Sequence, residues 1–184
     1  PLPDVDMRVV DVDTGDQELA HGEVGEIIIQ APQIMVGYWE RPTETLNMVR
    51  ECPALGPGRW VYTGDLGIID DDGYVFIVDR KKDLIKPGGF QVWPREVEEI
   101  IATHPAVAEV SVAGVPDERQ GEMVKAWIVL RPGHQVTVDE IRAFCRERLT
   151  AYKVPKQVEF RPGLPKTMVG KVLRRELVKE DQGK

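Results

Sequence analysis

Leu66-Gly67-Ile68-Ile69-Asp70-Asp71-Asp72-Gly73-Tyr74-Val75-Phe76-Ile77-Val78-Asp79-Arg80 carries the plainest local instruction in this chain. Residues 66–70 and 74–78 flank Asp71-Asp72-Gly73, and Asp-Gly tolerates the positive φ that a tight hairpin turn demands. The stretch predicts two antiparallel strands, and the sequence before it follows the same habit. Residues 7–12 alternate, with Met7 and Val9 set against Arg8 and Asp11, before the turn Asp13-Thr14-Gly15-Asp16. Gly25 introduces the short apolar run Glu26-Ile27-Ile28-Ile29-Gln30. Residues 43–50 are the helical exception, with Thr43 read as N-cap after Pro42. Short strands separated by turns predict a small antiparallel barrel-like or sandwich subdomain.

The character changes at Asp79-Arg80. Residues 84–86 and 91–93 flank Pro87-Gly88-Gly89, a second hairpin signal. Pro94 can open a helix without needing its N–H, and Val97, Ile100 and Ile101 have helical spacing up to about residue 103. Residues 107–115, 124–130 and 157–160 read as strands. Thr137 starts a helix running to about residue 149 with the apolar stripe Val138, Ile141, Phe144, Cys145 and Leu149, and residues 174–179 read as a short terminal helix. Helices and strands mix here without regular βαβ repetition, so the fold class is α+β. Charge switches at the same place. Residues 1–79 hold 4 Lys+Arg against 16 Asp+Glu, a balance of -12; residues 80–184 hold 20 against 15, a balance of +5. The sequence therefore predicts a β-rich unit over 1–79 and an α+β unit over 80–184, the second meeting something anionic.

With 184 residues, 42% hydrophobic and 30% charged, the chain has the make-up of a soluble globular protein of one or two domains. No apolar run is long enough for a transmembrane segment and no signal segment opens it. The start at Pro1, without an initiator methionine, suggests a piece of a longer protein. Cys52 and Cys145 lie far apart without metal spacing, which makes a reducing cytoplasmic location the expectation. The three histidines are scattered singly, and no metal site is expected. Basic residues of the second half are interleaved with acids instead of massed with aromatics, which argues against a nucleic-acid surface.

Three segments carry chemistry. In Trp60-Val61-Tyr62-Thr63-Gly64-Asp65-Leu66-Gly67, a carboxylate on a turn beside a strand end can accept both hydroxyls of a ribose. In Asp79-Arg80-Lys81-Lys82-Asp83-Leu84-Ile85-Lys86-Pro87-Gly88-Gly89-Phe90, Arg80 can fork onto phosphate or ribose oxygens, and the paired glycines admit a ligand close to the backbone. In Leu164-Pro165-Lys166-Thr167-Met168-Val169-Gly170-Lys171-Val172-Leu173-Arg174-Arg175, Gly170 frees the backbone just before an extended ammonium. This is no P-loop: Pro165 stands where the first glycine is required, and no Ser or Thr follows Lys171. Taken singly, each also reads as a plain turn, a charged linker or a solvated basic terminus.

Together, in this order and spacing, the three segments resemble the AMP-forming acyl-CoA synthetases of the adenylate-forming superfamily. Gly22-Glu23-Val24-Gly25-Glu26-Ile27 and Met35-Val36-Gly37-Tyr38-Trp39 extend the likeness over essentially the whole chain. The resemblance implies the C-terminal portion of an enzyme that uses ATP, with Mg2+, and CoA to activate a carboxylic acid. It implies that Asp65 binds the ribose hydroxyls, Arg80 contacts the nucleotide, and Lys82 is the hinge of a mobile lid. Lys86, Gly88 and Gly89 then line the pantetheine channel, and Lys171 stabilises adenylate formation. Val169 and Trp93 depart from the usual residues without removing a charged group. The phosphate loop and the acid pocket of the family have no counterpart in these residues, so the chain alone is expected to be inactive. Lys86-Pro87-Gly88-Gly89-Phe90, Trp93-Pro94-Arg95-Glu96-Val97-Glu98 and Tyr152-Lys153-Val154-Pro155-Lys156 look most like fatty acyl-CoA ligases. The alternatives are an aryl-CoA or peptide-synthetase branch, or a non-catalytic module that binds CoA or a partner.

Overall fold

A single long strand organises the first part of the chain. In the computed structural model, which describes residues 2–183, this strand is β4 (Gly56–Ile69), and three other strands pair with it. β1 (Asp6–Val10) lies antiparallel to β2 (Gly25–Gln30), and β2 lies antiparallel to β4. The far edge of β4 is shared: β3 (Val49–Cys52) covers its start and β5 (Val75–Arg80) its end. β-branched and aromatic residues fill the buried side, where Val10, Ile28, Cys52, Trp60 and Tyr62 form one apolar cluster. The Tyr62 hydroxyl donates to the Gly15 carbonyl at 2.8 Å, tying the first turn to that cluster.

The antiparallel sheet follows the sequence expectation, but it does not close into a barrel: the order β1-β2-β4-β3 ends without β1 and β3 pairing. β4 divides one edge between two partners, so the sheet gains its fifth strand without wrapping round. The helix α1 (Pro42–Met48) starts one residue before the expected cap, with Arg41 at the N-cap and Pro42 inside its first turn. Proline's fixed φ and missing N–H suit that first position.

The chain divides into two compact units, the first ending at Lys82 and the second starting at Asp83. The division falls just after the charge switch because Asp79 and Arg80 still belong to β5, in register with Leu66 and Asp65. In the second unit β6 (Val107–Asp117) and β7 (Gly121–Leu130) form a long antiparallel hairpin, and β8 (Gln157–Phe160) adds in parallel to β7. Alternation sends Val112, Val124, Ala126 and Ile128 to one face, under α2 (Pro94–Ala102) and α3 (Val138–Arg146). Ala113, Val115 and Trp127 go to the other, under Leu164 and Leu177 of α4 (Arg174–Gln182).

α3 opens with a reciprocal cap: the Thr137 hydroxyl accepts from the Glu140 N–H at 3.2 Å, and the Glu140 carboxylate accepts from the Thr137 N–H at 2.7 Å. The helix ends at Arg146, short of the expected residue 149, although Leu149 still packs against the core. On the opposite face the Lys125 ammonium is buried. It pairs with Glu159 at 3.0 Å and with Asp181 of α4, which satisfies a charge that could not otherwise sit there.

Burial pushes the Cys145 thiol from 9.0 up to about 11. Its folded value is raised, so its contribution to stability is complete below about pH 9 and is lost as pH rises toward about 11. Urea titrations across that window should show stability falling with pH, and Cys145→Ala should flatten this part of the profile; an unchanged slope would contradict the assignment.

Candidate functional site

The register between β2 and β4 breaks at one place. Glu26 faces Leu66, yet Ile28 faces Tyr62, so the longer strand carries extra residues there. Thr63, Gly64 and Asp65 stand there against Ile27 alone, and they bow out of the β2–β4 ladder. On the other edge β3 reaches only to Val61 and β5 only to Asp65, so Thr63 and Gly64 are paired on neither side. The result is an open cavity of about 580 Å3 whose lining includes Glu26, Arg50, Tyr62, Asp65, Arg80 and Lys82.

Hydrogen bonds fix the bulge. The Thr63 hydroxyl donates to the Ile27 carbonyl at 2.7 Å and accepts from the Asp65 N–H at 3.1 Å. The Glu26 side chain, only 3% exposed as a residue, accepts from the Gly64 N–H at 3.1 Å and from the Lys81 ammonium at 2.7 Å. Asp65 and Arg80, opposite each other on β4 and β5, bring Oδ1 and Nε to 3.5 Å. Their side chains stay 42% and 49% exposed, so both can reach a ligand. The Arg80 N–H donates to the Asp79 carboxylate at 2.8 Å, holding the end of β5. Deeper in, the Arg50 guanidinium lies 4.0 Å from the Tyr62 ring centre, and burial first, then contact with Cys52, pushes the Tyr62 phenol up to about 12. Such a cavity offers two carboxylate oxygens to a vicinal diol, with a guanidinium fork alongside.

Two further candidate segments belong to the second unit. Residues 85 and 92 form a single antiparallel bridge, and between them Lys86 leads into the turn Pro87–Gly89. The Lys86 N–H donates to the Glu122 carboxylate at 2.8 Å, and the Gly88 N–H donates to the Gln120 carbonyl at 2.9 Å, fastening the loop to the β6–β7 turn. Gly88 and Gly89 have φ of 59° and 87°, where a side chain would be strained, and open space lies around Gly89. Next to them Phe90 stacks on Tyr152 at 4.6 Å.

Lys171 stands on a narrow hairpin. The Leu173 N–H donates to the Pro165 carbonyl at 2.8 Å, the Thr167 N–H to the Lys171 carbonyl at 2.8 Å, and the Lys171 N–H to the Thr167 hydroxyl at 3.1 Å. Gly170 turns the tip with φ of 81°. Lys166 is held by Glu109 at 2.7 Å and Arg174 by Glu98 at 2.7 Å, whereas the exposed Lys171 ammonium has no ion-pair partner among the described residues.

Comparison with known proteins decides the family. Residues 96–171 match the AMP-binding enzyme C-terminal domain. The chain is 47% identical over 181 residues to a long-chain-fatty-acid–CoA ligase of Bacillus subtilis, covering 98% of this chain and 31% of the relative. It belongs to the adenylate-forming AMP-binding enzymes. A 2-succinylbenzoate–CoA ligase of Geobacillus kaustophilus is 43% identical over 155 residues, covering 84% of this chain and 30% of that protein. The crystal structure of ATP-bound MatB from Rhodopseudomonas palustris superposes with a TM-score of 0.86 at 38% identity, covering 97% of this chain and 34% of the other. The chain thus spans about a third of the length of these family members.

The structure gathers Asp65, Arg80 and Lys82 at one cavity, and places Lys86, Gly88 and Gly89 on one loop and Lys171 on a separate hairpin. Sequence reasoning missed Glu26 and Lys81. The signal was a single acid after Gly25 at the head of an Ile-Ile-Ile run, a charge that a buried strand does not accommodate without a partner. Among the described residues no group of three or more His, Cys, Asp and Glu side chains could hold a metal ion, and no helix is long and apolar enough to cross a membrane.

Replacing Glu26 by Ala leaves the Gly64 N–H and the Lys81 ammonium without their acceptor. The expected loss in urea unfolding is about 2–3 kcal/mol, toward the lower end for a buried pair because Lys81 is one-third exposed. Glu26→Gln, which still accepts from one donor, should lose less; equal stability of all three proteins would remove Glu26 from this role.

Proposed function

We propose that this chain is the C-terminal part of an AMP-forming acyl-CoA synthetase that converts a carboxylic acid, ATP and CoA to an acyl-CoA through an acyl-adenylate. The observation that carries the proposal is the Lys171 hairpin: an exposed ammonium without an ion-pair partner among the described residues, on a hairpin closed by four hydrogen bonds. Adenylation brings a carboxylate against the α-phosphate of ATP, so two anions must meet as charge builds on the bridging oxygens. An ammonium placed there relieves the repulsion, most strongly once water is excluded. Asp65 takes the ribose hydroxyls and Arg80 the nucleotide beside them. In the second half-reaction the 86–89 loop faces the pantetheine thiol of CoA, where Gly88 and Gly89 admit the chain close to the backbone and Lys86 adds positive charge. Lys82 is the pivot of this alternation, the second unit acting as a lid with two working faces.

The acid is proposed to be a fatty acid, because the long-chain-fatty-acid–CoA ligase is more similar over more of the chain than the 2-succinylbenzoate ligase. The phosphates of ATP and the acyl group are bound by residues outside this chain. Mg2+ accompanying ATP finds no cluster of three or more His, Cys, Asp and Glu side chains among the described residues. A reducing, cytoplasmic setting agrees with Cys52 and Cys145 both being free thiols.

The test separates the two half-reactions in the full-length enzyme. Lys171→Ala should abolish acid-dependent ATP–pyrophosphate exchange yet still form thioester from supplied acyl-adenylate, and Gly89→Ile should do the reverse. The isolated 184-residue chain should show no exchange. Loss of both half-reactions in both variants, or exchange by the isolated chain, would contradict the proposal.

A further inference from the structure

Arg174 is the third residue after Lys171 and the first of α4, an awkward place for a cation. A helix N-terminus carries partial positive charge and disfavours a guanidinium, and α4 has no side-chain cap to offset it. Its position is explained by two carboxylates. Nε and Nη2 of Arg174 donate to the two oxygens of Glu98 at 3.2 and 2.7 Å, and Nη1 donates to Asp83 at 3.1 Å. All three side chains are about a quarter exposed or less, so the triad is partly shielded from water. Glu98 extends the tie, because its Oε1 also accepts the Val112 N–H of β6 at 2.8 Å.

These contacts join distant points of the sequence. Asp83 is the last residue of the turn Lys81–Asp83 and follows Lys82 directly. Glu98 belongs to α2. Arg174 continues directly from the strand arm of the Lys171 hairpin, whose Leu173 N–H is bonded to Pro165. We infer that Arg174 is a positioning residue for Lys171: it locks the catalytic-lysine hairpin to the residue after the pivot, so that the hairpin and the pivot-proximal backbone keep one geometry. The inference rests on the assignment of Lys171 to adenylation. A lysine at 174 would keep the charge but could not fork onto Glu98 and reach Asp83 together. The 86–89 loop is fastened separately, through Gln120 and Glu122, so thioester formation does not depend on the triad.

The experiment uses the full-length enzyme with Arg174→Ala, Arg174→Lys and Asp83→Asn, beside Lys171→Ala. Displacing the hairpin should lower kcat of acid-dependent pyrophosphate exchange about 10- to 100-fold in Arg174→Ala, leave KM for ATP and thioester formation from supplied acyl-adenylate near the parent values, and be only partly rescued by lysine. Asp83→Asn should lose less in the same half-reaction, and the hairpin amides of residues 166–172 should exchange hydrogen faster in both. Equal losses in the two half-reactions, or full rescue by lysine, would overturn the inference by showing a general structural role. Normal exchange in Arg174→Ala beside an inactive Lys171→Ala overturns this inference alone; normal exchange in Lys171→Ala overturns it together with the reading beneath it. Should Arg174→Ala fail to fold, Arg174→Lys and Asp83→Asn carry the same comparison.

Discussion

A carboxylate removed from water must be met by donors, and Glu26 meets that requirement in a way that shapes everything around it. It stands at the head of β2, with Ile27 and Ile28 behind it in the core. One oxygen takes the N–H of Gly64, in the outward bulge of β4; the other takes the ammonium of Lys81, in the turn that follows β5. The bulge presents Asp65, and the end of β5 presents Arg80. A single buried acid therefore sets the spacing of the two groups proposed to meet a nucleotide, while Asp65 and Arg80 themselves remain half exposed.

The second unit divides the same labour differently. Its sheet is covered on both faces, and its buried cation, Lys125, is compensated by Glu159 and Asp181. That rigid scaffold carries two exposed loops, each fastened at its base by backbone hydrogen bonds and open at its tip. Fixing the base limits the number of geometries the tip can adopt, and an open tip leaves the working group to meet its ligand. Two loops with separate fastenings suit the two half-reactions proposed for them.

Much of this was legible in the sequence because it is local. Asp71-Asp72-Gly73 marks its hairpin, Thr137 marks the start of α3, and Pro87-Gly88-Gly89 marks a tight turn. Spacing also separated the three chemical segments and the α+β class. What escaped depends on partners far along the chain. The division of the β4 edge between β3 and β5 is a question of register, which alternation does not reveal, and it decides both the open sheet and the cavity. Lys81 read as one basic residue in a charged linker, since its partner Glu26 lies 55 positions away. Arg174 likewise read as part of a solvated basic terminus, with Asp83 lying 91 positions away.

The most direct measurement is a crystal structure of the full-length enzyme with a non-hydrolysable acyl-adenylate analogue. Both ribose hydroxyls should lie within hydrogen-bond distance of the Asp65 carboxylate, with Arg80 alongside and the bulge still held by Glu26. A nucleotide bound elsewhere, with Asp65 facing solvent, would contradict it.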